Sequence, residues 1–115
     1  TACGQTTLDA FAADCGLTRL ELVKIDTDGH EFAVLSGAVK CIERFRPVVL
    51  FEACEYLMTA PGATYADFEK FFERIGYTIS LGINRGRLSA AEFHDKCPTG
   101  GSLDLIAVAN EQNVL

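Results

Sequence analysis

Leu22-Val23-Lys24-Ile25-Asp26-Thr27-Asp28-Gly29-His30-Glu31 is where the periodicity of this chain changes. The compact apolar run Leu20 to Ile25, with β-branched residues and closed by a glycine turn, suits a buried parallel strand. From His30 onward, Phe32, Leu35, Ala38, Val39, Ile42 and Phe45 recur at helical spacing, which predicts a helix from His30 to about Phe45. Pro47 stops that helix, and Val48 to Phe51 is the next strand, ended by Glu52. Strand, helix and strand in immediate succession imply a parallel pair with a crossover helix.

Upstream, Thr6-Thr7-Leu8-Asp9 reads as a capping box with Thr6 as the cap. It opens a short helix whose apolar face is Leu8, Phe11, Ala12 and Cys15, stopped by Gly16. Downstream, Ala53 to Ala63 reads as a loop through Pro61-Gly62. Thr64 and Asp67 form a second capping box ahead of Tyr65, Phe68, Phe72 and Ile75, and Gly76 ends that helix. Tyr77 to Ile83 is a strand, and Asn84 to Gly101 is a polar connection in which Ser89 and Glu92 cap a short helix. Leu103 to Ala109 is the last strand. The predicted order is α-β-α-β-α-β-β, with the final two strands joined as an antiparallel pair.

At 115 residues this is one small domain or part of one, with 49% hydrophobic residues against 23% charged, a balance that supports a folded core. The net charge of −6 and the scatter of the basic residues, Arg85 and Arg87 apart, argue against a nucleic-acid partner. No apolar run reaches the ~20 residues of a membrane span, and no signal peptide is recognisable. Cys3, Cys15, Cys41, Cys54 and Cys97 have no metal-cage spacing, so they read as reduced thiols in a cytoplasmic setting.

In open α/β sheets, ligands bind beyond the carboxyl ends of the strands. That rule selects Asp26, Asp28, His30 and Glu31 after the first strand and Glu52 after the second, with Tyr56 and Met58 in the loop that follows. Clustered carboxylates there can act as a general base, bind a hydroxylated or cationic group, or hold a divalent ion. The competing reading makes Asp26 or Asp28 a helix cap and Glu31 a complement to the helix dipole. An EF-hand is rejected, because Gly29 comes two positions early and the twelfth position is Gly37. His94 reads as a solvated residue of the last connection.

Three blocks of these residues resemble the FkbM methyltransferase family. They are Thr7-Leu8-Asp9-x-Phe11, then Leu22 to Asp26 with Asp28-Gly29-His30-Glu31, Val34-Leu35 and Gly37-Ala38, then Arg46-Pro47 through Glu52. Gly76-Tyr77 and Leu103 to Val108 are similar to the family's closing strands. The resemblance implies the carboxyl-terminal half of a Rossmann-like class I methyltransferase sheet, with parallel strands, a final antiparallel strand inserted between the second and third, and helices on both faces. It implies S-adenosyl-L-methionine as methyl donor and a hydroxyl of a sugar or other small molecule as acceptor. On this mapping Asp26, Asp28 and Glu31 are catalytic candidates, and His30, Glu52 and Tyr56 are acceptor-binding candidates. Asp28 stands where the family usually has Glu, one methylene longer.

The family's Gly-rich cofactor loop has no counterpart here; Asn84 to Arg87 and Thr99 to Gly101 follow no strand-to-helix turn. The expectation is therefore a single partial domain spanning residues 1–115, with no cofactor-binding residue and no metal ligand of its own, inactive by itself. Two other functions compete. One is a metal-dependent nucleotide-sugar glycosyltransferase fragment using Asp26 and Asp28. The other is a non-catalytic α/β assembly module, for which the open edge of the Leu20–Ile25 strand offers a homodimer contact.

Overall fold

The computed structural model describes residues 4–27, 29–54, 64–83 and 85–112. Along the chain run α1 (Leu8–Cys15), β1 (Leu22–Ile25), α2 (Glu31–Ser36), α3 (Val39–Phe45), β2 (Val48–Ala53), α4 (Tyr65–Arg74), β3 (Tyr77–Ser80), α5 (Ala90–Lys96) and β4 (Leu103–Ala109). The sheet order is β1-β2-β4-β3. β1 and β2 are parallel, and β4 runs antiparallel between β2 and β3. This is the α/β class and the inserted last strand that the sequence leads one to expect. β1 lies at one edge of the sheet.

Successive strand residues point to opposite faces. Ile25, Val49, Phe51, Ala53, Tyr77, Ile79, Leu105, Ala107 and Ala109 form one face and join the core with helix residues Leu35, Ala38, Ile42, Phe68, Phe72 and Phe93. Phe51 is the centre of this layer, stacked 5.4 Å from Phe68 and 5.5 Å from Phe72 between ring centroids. Tyr65 stacks on Phe93 and donates its hydroxyl to the Leu88 carbonyl at 2.6 Å, tying α4 to the chain ahead of α5. The alternate residues are less evenly covered: Leu22 is 55% exposed, Lys24 and Asp104 are exposed, Leu50 and Glu52 are half-buried, and Ile106 and Ser80 are buried.

Local chemistry explains most element ends. Thr64 with Asp67 and Ser89 with Glu92 form reciprocal capping boxes at α4 and α5. Gly16 stops α1 in the left-handed conformation, φ 66°. β1 and β3 are shorter than predicted, while β2 runs past Glu52 to Ala53, because Glu52 and Ala53 still pair with Asp104 and Leu103 of β4.

Three readings are corrected. The cap of α1 is Thr7, whose hydroxyl accepts from the Ala10 amide at 3.1 Å. Phe11 is 54% exposed; Ala12 is the buried residue of α1. The single helix predicted over 30–45 is two, α2 and α3, broken at Gly37-Ala38.

The cause of that break lies about thirty residues upstream. The Asp9 carboxylate accepts from the amides of Lys40 at 3.0 Å and Cys41 at 2.9 Å, capping α3 in place of its own Ala38. The Asp9 amide donates to the Gly37 carbonyl at 2.9 Å. Gly37 packs so closely on Thr7 that a Cβ there would meet Thr7 Cγ2 at 2.8 Å. The Thr-Leu-Asp block and the Gly-Ala block are thus the two halves of one joint.

A second joint lies at the start of β2. Arg46 ends α3 with φ 53° and donates to the carbonyls of Ile75 at 2.6 Å and Gly76 at 3.2 Å and to both oxygens of Glu111. Its guanidinium also sits 4.7 Å from the centre of the Tyr77 ring. The Tyr77 hydroxyl donates to the Pro47 carbonyl at 2.7 Å. This knot joins the chain entering β2, the α4–β3 turn and the segment leaving β4.

Candidate functional site

A cleft of about 490 Å³ opens where β1 and β2 end and β4 begins. Its floor is Lys24, Leu50 and Ile106, three neighbouring strand residues on the less covered face. Asp26 enters it from the end of β1, Glu52 from β2 and Asp104 from β4, with Leu81 and Gly82 after β3 on the far side. Three carboxylates and one ammonium give the cleft an acidic balance.

Glu52 and Asp104 are direct cross-strand partners. Opposed like charges destabilise a sheet pair by up to about 1 kcal/mol, so this pairing is a local cost located in the cleft. Glu52 also accepts from the Cys54 thiol, sulfur to oxygen 3.6 Å. Burial, with Glu52 beside it, pushes the Cys54 thiol up from its ordinary value, so it stays protonated.

The sequence candidates divide. Asp26 is exposed and lines the cleft, and Glu52 is half-buried and lines it. Glu31 is 6% exposed and turned back on the chain before it. One of its oxygens accepts from the Thr27 amide at 2.8 Å and the Thr27 hydroxyl at 2.9 Å; the other accepts from the Gly29 amide at 3.0 Å. Burial alone raises its pKa, but the hydrogen bonds from Thr27 and Gly29 prevail, and the carboxyl lies below its ordinary value. His30 occupies the cap position of α2, exposed, without a side-chain capping bond. Asp28, Tyr56 and Met58 lie outside the described residues.

Asp104 is the cleft residue that sequence reasoning passed over. It is far from Glu52 along the chain, and only the register of β4 against β2 brings the two together. The alternation of the last strand, with one acid among Leu103, Leu105 and Ile106, was the available signal.

The turn after β1 does not offer free amides to the carboxylate of S-adenosyl-L-methionine. A cofactor carboxylate calls for free backbone amides at a strand-to-helix turn. After β1, the Thr27 and Gly29 amides are already taken by Glu31. Among the described residues no group of three His, Cys, Asp or Glu side chains is arranged to hold a metal ion, and no helix is long and apolar enough to cross a membrane. Arg87 is paired with Glu69 at 2.7 Å.

The model of the methyltransferase FkbM domain matches residues 4–112 of this chain. Neither the curated proteins nor the solved structures searched give a match.

Proposed function

The chain belongs to the FkbM methyltransferase family, and on that premise we propose that its cleft receives the acceptor of an S-adenosyl-L-methionine-dependent O-methyl transfer. The observation that carries this reading is the convergence of Asp26, Glu52 and Asp104 in one cleft at the carboxyl ends of the parallel strands. The acceptor is a small molecule that presents a hydroxyl group. The donor would be held by residues other than those described.

Asp26 is the residue best placed to take the hydroxyl proton, since it is exposed and lines the cleft at the end of β1. Glu52 accepts a hydrogen bond from a neighbouring acceptor group and fixes its orientation. His30 and Asp28 flank this rim in sequence. Methyl transfer depends mainly on holding the oxygen in line, so the contribution of these side chains is chiefly geometric. The family match does not favour a metal-dependent nucleotide-sugar transferase.

The test is a transfer assay on the full-length gene product, with isotope-labelled methyl donor and a panel of sugars and other hydroxylated small molecules. Asp26→Asn and Glu52→Gln lower transfer at least tenfold while the fold, followed by circular dichroism, is retained. Undiminished transfer in both variants refutes the assignment of the cleft.

A further inference from the structure

We propose that Glu31 is a positioning residue, which fixes the turn after β1 so that the carboxylate of Asp26 is presented to the cleft. The inference rests on the proposal that the cleft receives the acceptor, and it assigns Glu31 a role without acceptor contact.

A general base needs a free lone pair and a path to the proton it takes. Glu31 lacks the path and has little left to accept with: it is 6% exposed, and its two oxygens already accept three hydrogen bonds, from Thr27 N, Thr27 Oγ1 and Gly29 N. A carboxylate accepts about four such bonds in all, and charge-assisted ones are short and strong. All three donors belong to the turn that begins immediately after Asp26. The residue preceding Thr27 therefore inherits its backbone direction from the clamp. Dipole complementation of α2 does not account for this arrangement, because the oxygens reach back to residues ahead of the helix. Asp9 differs, since its carboxylate reaches amides inside the first turn of α3, at Lys40 and Cys41, and caps that helix.

Glu31→Gln discriminates sharply. The amide keeps one acceptor oxygen and replaces the other with an NH₂ group, which then faces N–H donors at either Thr27 or Gly29. Neither orientation of the amide satisfies both. The turn loosens while the volume of the side chain is preserved.

The measurement is nuclear magnetic resonance on the ligand-free chain, with Glu111→Gln as a control that breaks an ion pair outside the cleft. In the wild type, the Thr27 and Gly29 amides exchange with solvent at least tenfold slower than unprotected turn amides. In Glu31→Gln that protection falls at least tenfold, and the side-chain carboxyl resonance of Asp26 shifts. Glu111→Gln changes neither. An unprotected wild-type turn overturns the proposal, as does an Asp26 signal that stays put in Glu31→Gln or moves as far in Glu111→Gln.

If Glu31→Gln fails to fold, the wild-type exchange and the Glu31→Asp variant decide. Shortened by one methylene, Glu31→Asp must lose protection at Thr27 or Gly29. None of these readouts needs catalysis, so they can succeed even where the methyltransferase reading fails. In an active full-length gene product, Glu31→Gln lowers kcat by roughly 10- to 100-fold and leaves KM for the methyl donor unchanged. An unchanged kcat alongside a displaced Asp26 refutes the positioning role.

Discussion

Gly37→Ala tests the joint between α1 and the α2–α3 break, because two physical readings give it opposite signs. Gly37 has φ −86°, a conformation that alanine adopts freely. With nothing nearby, the substitution would stabilise the chain by about 0.4–1 kcal/mol through the unfolded state. The structure places something nearby: an added Cβ lies 2.8 Å from Thr7 Cγ2 and 2.9 Å from Thr7 Cβ. Carbon pairs settle at about 3.5–4.0 Å, so Thr7 must retreat by roughly 0.7 Å or more. Thr7 is not free to do so, since its hydroxyl caps α1 and the Asp9 amide holds the Gly37 carbonyl.

Overpacking of this kind costs about 1–3 kcal/mol. For a chain of this length that corresponds to a melting temperature lower by roughly 4–12 °C. Urea and thermal denaturation of the isolated chain measure it. Thr7→Gly removes the clashing atoms at small capping cost, so the pair Thr7→Gly with Gly37→Ala should show a coupling of about 1 kcal/mol or more. A neutral or stabilising Gly37→Ala refutes the joint.

Three further expectations follow from other contacts. The Arg46 guanidinium, hydrogen-bonded to Glu111, holds that carboxyl down to about 2. A depressed acid contributes stability that is present above its unfolded value of 4.5 and lost as pH falls toward 2. The urea midpoint should therefore decline over that window, and Glu111→Gln should flatten part of the decline. Asp104→Asn removes one of two opposed charges and should raise stability by about 0.2–1 kcal/mol at low salt, as read from urea melts. The same variant should impair acceptor use in the transfer assay, a trade of function against stability. Tyr65→Phe leaves the buried Leu88 carbonyl without its 2.6 Å donor and should cost about 1–2 kcal/mol by thermal denaturation.

The parts of this fold that were legible in the sequence are those with short-range causes. Val48 to Phe51 can be little but a strand, and Thr64 with Asp67 and Ser89 with Glu92 announce two helices from four residues each. The antiparallel insertion of β4 came from family resemblance, since alternation alone does not say where a last strand pairs. What stayed hidden depends on contacts between distant residues. Gly37 is only a weak local signal, since its φ is ordinary; Thr7 and Asp9 meet the break from far upstream. Asp26 and Glu52 were found because strand ends can be located from periodicity. Asp104 required the β2–β4 register, and the inward turn of Glu31 required coordinates.

The motif residues also separate by task. Asp9, Gly37, Arg46 and Pro47 hold elements together away from the cleft, whereas Asp26 and Glu52 line it. A family pattern read only as a list of catalytic residues would confuse these two groups. The distinction rests on where each carboxylate or guanidinium spends its hydrogen bonds.

The most direct measurement is calorimetric titration of S-adenosylhomocysteine into the full-length gene product, wild type and Asp26→Asn side by side. Equal binding by the two proteins, with methyl transfer lost only in Asp26→Asn, is the expected result and places Asp26 on the acceptor side. Binding abolished by Asp26→Asn, or absent from the wild type, contradicts the assignment of this cleft to the acceptor of a methyl transfer.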